Sequence, residues 1–149
     1  MAVRYLLDTN ICIYIAKHNP PAVRARFEQL SADVLAMSVI TLGELRHGAE
    51  KSQARTKALA ALQQLQSAIQ VMPLTHAVGE SYGQIRSSLE RTGQPIGNND
   101  LWIAAHARAE GWVLVTNNER EFCRVEGLAV ENWVTPKQPA KTLSSVRST

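Results

Sequence analysis

The chain has 149 residues, of which 45% are hydrophobic and 19% charged, enough apolar content for one cored domain and too much for a disordered or fibrous protein. Its net charge of +3 is compatible with a nucleic-acid partner without requiring one. Cys12 and Cys123 form no metal-like pair and point to a reducing cytoplasm, and no apolar run approaches the ~20 residues that span a bilayer, so neither a signal peptide nor a membrane partner is expected.

The run Val3-Arg4-Tyr5-Leu6-Leu7 reads as a short buried strand that stops at Asp8-Thr9-Asn10. Residues 11–16 then read as a helix capped by Thr9 or Asn10. His18-Asn19-Pro20-Pro21 is a turn, and Pro21 suits the first position of a helix over 22–30. Beyond Ser31-Ala32-Asp33, residues 34–38 make a second strand and residues 40–49 a helix carrying Glu44. A polar, basic connection leads to a long amphipathic helix in which Ala58, Ala61, Leu62, Leu65 and Ile69 repeat at helical spacing. Residues 70–74 are extended, because Pro73 disfavours helix just before it.

Thr75 caps the next helix, whose Val78, Tyr82, Ile85 and Leu89 form one stripe. A loop over 92–97 ends at Asn98 or Asn99, either of which caps a helix running to Glu110 and stopped by Gly111. Residues 112–116 are a third strand, Asn117-Asn118 a turn, 119–125 a short helix and 128–130 a last edge strand. From Thr135 the chain is rich in Pro, Lys, Ser and Thr, and residues 135–149 read as a disordered tail. Apolar strands alternating with helices predict an α/β fold with a central parallel sheet, whose functional groups gather at the carboxyl ends of the strands.

Four acids merit attention on position. Asp8 ends the first strand, where open α/β sheets bind ligands, and reads equally as a helix N-cap. Asp100 opens a helix face continued by Ile103, Ala104 and Ala107, a packed face that draws the acid inward; the alternative is a first-turn acid favoured by the helix dipole. Glu44 has apolar neighbours and Gly43 beside it, although alone it reads as a surface glutamate. Glu121 follows the polar end of the third strand, and otherwise shares a solvated acidic face with Glu119 and Glu126. His106 lies six residues past Asp100 and points elsewhere, so no catalytic part is expected of it.

Four segments combine these signals: Leu7-Asp8-Thr9-Asn10; residues 38–45 with Gly48; Gly97-Asn98-Asn99-Asp100 continuing to Ala107; and Val115-Thr116-Asn117-Asn118-Glu119-Arg120-Glu121-Phe122. In this order they resemble the PIN-domain ribonucleases, and among them the VapC-type toxins of bacterial toxin–antitoxin pairs. The resemblance covers roughly residues 1–134, which it implies form a PIN-like three-layer α/β/α domain with a central parallel sheet. It further implies an endoribonuclease toxin, a cognate antitoxin, a homodimer entering a higher assembly with that antitoxin, and structured RNA as substrate. The Thr-Asn-Asn-x-Arg-Glu-Phe ending resembles the subgroup that cuts initiator tRNA. Many PIN domains carry an aspartate where Asn118 stands here, and likeness to that subgroup suggests Glu121 as the fourth carboxylate.

Two like charges ~5 Å apart repel by about 3 kcal/mol at an effective dielectric of 20, so clustered carboxylates call for a cation or for protons. Oxygen ligands with retained water suit Mg²⁺, with Mn²⁺ as an alternative. Asp8 and Asp100 are the expected metal carboxylates, joined by Glu44 directly or through water. Thr9, Ser38, Thr116 and Asn118 are expected to brace carboxylates or hold water around them. A subset of Arg46, Lys51, Arg55, Arg86, Arg91, Arg120 and Arg124 is expected to meet RNA phosphates. Two rivals compete. A haloacid-dehalogenase-type aspartyl phosphatase also begins with a strand-end Asp, but wants a second one where Asn10 stands. A non-catalytic RNA- or protein-binding domain gives Asp100 no reason to face inward.

Overall fold

The computed structural model describes residues 2–135. Within them the chain runs β1 (Tyr5–Leu7), α1 (Thr9–Lys17), α2 (Pro21–Glu28), β2 (Leu35–Ser38), α3 (Val39–Glu50), α4 (Arg55–Ala68), β3 (Gln70–Met72), α5 (His76–Arg91), α6 (Asn98–Glu110), β4 (Val113–Val115), α7 (Glu119–Phe122) and β5 (Val130–Glu131). The strands form one parallel sheet in the order β3-β2-β1-β4-β5.

Side-chain alternation along the strands separates two cores. Leu6, Ala36 and Leu114 point to one face and pack with Val78, Ile85 and Leu89 of α5 and with Ile103, Ala104 and Ala107 of α6. Tyr5, Leu7, Leu35, Met37 and Val115 point to the other and pack with Ile11 and Ile15 of α1, Val23 of α2 and Leu65 of α4. Each sheet face is thus sealed by helices, giving the expected three layers.

The order of strands fixes where a site can form. From β1 the chain winds outward through β2 to β3, then returns to lay β4 against the other side of β1. The direction of winding reverses between β1 and β4, and a crevice opens there beyond the strand ends. Leu7 pairs with Val115, so the next residues, Asp8 and Thr116, emerge side by side at that crevice.

Several boundaries differ from those read in the sequence. The cap of α1 is Asp8, one of the two readings of that residue, and neither Thr9 nor Asn10: its Oδ1 accepts the Ile11 N–H at 2.9 Å. The residue before α6 is Gly97, and Asn98 and Asn99 lie inside the helix with their side chains engaged elsewhere. Helix α7 ends at Phe122 instead of 125, as the chain tightens into turns. The last strand comes later than 128–130, because Gly127, at φ +81°, prolongs the turn and the chain meets β4 only at Val130. Thr135 is exposed, and the rest of the tail read as disordered, 136–149, lies outside the described residues.

Candidate active site

The crevice at the β1–β4 junction is a cleft of about 140 Å³, lined by Asp8, Thr9, Asn10, Glu44, Asp100, Asn118 and Phe122. Each acid arrives on a different element. Asp8 is only 6% exposed and doubles as the cap of α1. Burial pushes its pKa up and the Glu44 charge adds to that, while the Thr116 hydroxyl and the Ile11 and Asn10 amides pull it down. Asp100 opens α6 and is half-buried. Its pKa is pushed up to about 6, first by desolvation and then by the negative charges of Glu121, Asp8 and Glu44. Asp100 thus feels the charges of the other three carboxylates on top of its burial.

The supporting residues divide the work. Thr9 donates its hydroxyl to Glu44 and meets Thr41 Oγ1 at 3.2 Å. Asn99 donates to the other Glu44 oxygen at 3.1 Å. Glu44 is therefore clamped between α1 and the first turn of α6. Thr116, fully buried at the end of β4, accepts the Asn118 N–H at 2.9 Å and hydrogen-bonds Asp8. Asn118 in turn donates its side-chain amide to Glu121 Oε1 at 2.9 Å. Asn118 thus anchors the Glu121 carboxylate. Glu121 does not line the cleft itself, although its charge acts on Asp100.

The structure brings together Asp8, Thr9, Glu44, Asp100, Thr116 and Asn118, with Glu121 at the margin. It does not bring Ser38 onto the cleft wall: that hydroxyl accepts the Ile40 N–H at 3.1 Å and bonds His106 Nδ1 at 2.9 Å. Asn99 and Thr41 were not singled out in the sequence as site residues. Asn99 carried a signal, a neutral donor beside an inward acid, but its position also suited a helix cap. Thr41 carried none. Among the proposed phosphate contacts, Arg46 and Arg55 pair with Glu50, and Arg86 with Glu90, at the surface.

All donors in the cleft are oxygen or amide groups of Asp, Glu, Asn and Thr, a hard set that fits Mg²⁺ or Mn²⁺ and lacks the thiolate and imidazole favoured by Zn²⁺. Among the described residues, no group of three or more His, Cys, Asp or Glu could hold a metal ion unaided. A larger cleft of about 750 Å³ between α2 and β5 gathers no comparable cluster, so size does not mark the chemistry.

Comparison with known proteins agrees with this geometry. The family model for the PIN domain matches residues 5–128. The chain is 46% identical over 131 residues to the tRNA(fMet)-specific endonuclease VapC of Shigella flexneri, covering 88% of this chain and 98% of that one. It is 42% identical to Ribonuclease VapC2 of Haemophilus influenzae, over 89% of this chain and 99% of that one. Among solved structures, DNA-bound VapBC from Salmonella typhimurium matches with a TM-score of 0.83 and 41% identity, over 88% of this chain and 98% of that one. VapBC2 from Rickettsia felis, bound to a promoter DNA fragment, matches with a TM-score of 0.82 and 39% identity, over 88% and 99%.

Proposed function

This chain belongs to the PIN-domain family, and from that premise we propose that it is an endoribonuclease toxin of the VapC type, cutting structured RNA and held in check by a cognate antitoxin. The observation that carries the reading is the convergence of Asp8, Glu44 and Asp100, with Glu121 close by, at the β1–β4 crevice. Initiator tRNA is the proposed substrate, supported by relatives named tRNA(fMet)-specific endonuclease and by the Thr116-Asn117-Asn118 ending. Solved VapBC complexes support the antitoxin, and we extend the reading to a homodimer in the cytoplasm. The phosphatase alternative is not favoured, because Asn10 stands where it needs an acid and the chain belongs to another family.

Mg²⁺ is the proposed cofactor: Asp8 and Asp100 would hold it, joined by Glu44 directly or through water, with Glu121 as the proposed fourth carboxylate. Such an ion polarises the scissile phosphate, acidifies a water and steadies the leaving oxygen. The chain's own part is to keep its carboxylates aimed and few in rotamer. Asp8 has one oxygen fixed by the Ile11 amide and a hydroxyl from Thr116 against it. Glu44 is fixed at both oxygens by Thr9 and Asn99. Asp100, whose pKa in the metal-free cluster is pushed up to about 6, would be returned to its charged form by a cation beside it, and Asp8 or Asp100 would orient the attacking water. Phe122 closes one wall and limits bulk water.

The test is direct. Purified protein is incubated with initiator and elongator tRNAs in Mg²⁺ and in EDTA, and new RNA ends are mapped. Cleavage of the initiator alone, lost in EDTA and in Asp8→Asn, is expected. Cleavage that survives in Asp8→Asn would overturn the assignment.

A further inference from the structure

The buried pair Ser38–His106 is outside the cleft, yet it lies between the two helices that carry Glu44 and Asp100. Ser38 caps α3 and His106 sits in α6, both fully buried, with His106 Nδ1 2.9 Å from Ser38 Oγ. A second side-chain hydrogen bond ties the same helices: Asn99 of α6 to Glu44 of α3, at 3.1 Å. The start of α3 meets the later part of α6, and the later part of α3 meets the start of α6, so the two run antiparallel.

The spacings match. Ser38 and Glu44 are six residues apart on α3, about 9 Å along its axis. Asn99 and His106 are seven apart on α6, about 10.5 Å along its axis, and at 100° per residue they fall on one stripe. Along α6 the residues beside His106 are Ala104, Ala105 and Ala107, all buried, and the Trp112 ring stands 5.3 Å from the imidazole, centroid to centroid. Small side chains interlock weakly and resist sliding less than large ones do. A directional hydrogen bond supplies the register that they do not.

Resting on the nuclease reading above, we propose that the His106–Ser38 hydrogen bond is a positioning device. It locks α3 against α6 at one end and thereby sets how far Glu44 stands from Asp100 at the other. His106 touches no substrate and transfers no proton. Its buried ring favours the neutral form, since burial lowers its pKa while Glu110 and the Pro73 carbonyl pull the other way. Loss of the bond lets the helices slip, and the acid cluster loosens its hold on a divalent ion.

The test reads metal binding, not turnover. Mn²⁺ binding to the full chain is followed by water-proton relaxation in wild type, His106→Leu, His106→Asn and Ser38→Ala, with folding checked by circular dichroism. Leu fills much of the space without the bond, whereas Asn can offer a donor or an acceptor near the Nδ1 position. His106→Leu and Ser38→Ala are expected to weaken Mn²⁺ on the order of tenfold, as outer partners of metal ligands commonly do, and His106→Asn to restore most of the affinity. Their double variant is expected to lose no more than either single change. Wild-type affinity in a folded His106→Leu or Ser38→Ala protein overturns the proposal. So does an Asn variant as weak as Leu. Should His106→Leu not fold, Ser38→Ala alone decides. Absence of Mn²⁺ binding in wild type would instead remove the metal-dependent reading on which the proposal stands.

Discussion

Asp100 feels three other carboxylates and ionises late, and both its stability effect and its pH dependence follow. Its folded pKa of about 6 lies above the ordinary 3.8, so the folded protein holds this proton more tightly than the unfolded chain does. Metal-free stability therefore falls as pH rises from about 4 to about 6, and the loss is complete above that window. Asp100→Asn keeps the shape and removes the charge. In EDTA at pH 7.5 it is expected to melt roughly 2–4 °C above wild type, by about the shift that relief of ~1 kcal/mol gives at this chain length. Near pH 4 the difference should vanish, and cleavage should be absent throughout. Excess Mg²⁺ should raise the melting temperature of wild type much more than that of the variant. A lower melting temperature for Asp100→Asn in EDTA, with an equal Mg²⁺ increment in both proteins, would make this residue a structural cap. Thr116→Val makes a companion case. Thr116 lowers the Asp8 pKa, so its loss should move the acidic limb of cleavage to higher pH and cut the rate roughly 10–100-fold. An unmoved limb in the pH–rate profile would show that Thr116 acts only in packing.

Helix α1 shows one residue serving an element and a site together. The sequence offered Asp8 as either a cap or a ligand-binding acid, and the structure uses it as a cap at the edge of the cleft. Asn caps as well as Asp, while Ala does not. Asp8→Asn and Asp8→Ala should both be inactive, but thermal unfolding in EDTA should place Ala below Asn by about 1 kcal/mol of stability. Equal stabilities would mean that the Ile11 contact is incidental. The long elements were legible in the sequence because their period is strong: the stripe Val78, Tyr82, Ile85, Leu89 predicted α5, and Gly111 marked the end of α6. Ends were less legible because capping residues compete. Asn98 and Asn99 look like caps, yet their amides serve Tyr82 and Glu44, neighbours remote in sequence. The inward turn of Asp100 was readable from the small apolar residues following it. The clamp on Glu44 was not, since it joins three helices.

The whole molecule is a sheet whose two faces are closed by separate cores, with Trp133, among the described residues, the last large one buried in either. Residues 136–149 are rich in Pro, Lys, Ser and Thr with few bulky apolar side chains, so a chain ended at Thr135 is expected to melt within about 2 °C of the full protein and to cleave RNA at a similar rate. Loss of the folded state on truncation would show that residues 136–149 contribute to packing. The parallel sheet and its winding were inferable from the alternation of strands and helices, whereas the return of β4 to the side of β1 was not, because no local pattern encodes which strand edge remains free. That return also sets a clock. Tyr5 must await Val113, more than a hundred positions later, before the two strands can pair. At roughly 5–20 residues per second of synthesis, this is a delay on the order of 5–20 s. For most of that interval the growing polypeptide carries Asp8 but lacks Asp100, and Thr116 is added only after Val113. A ribosome making this chain is therefore spared its activity until β4 has been made.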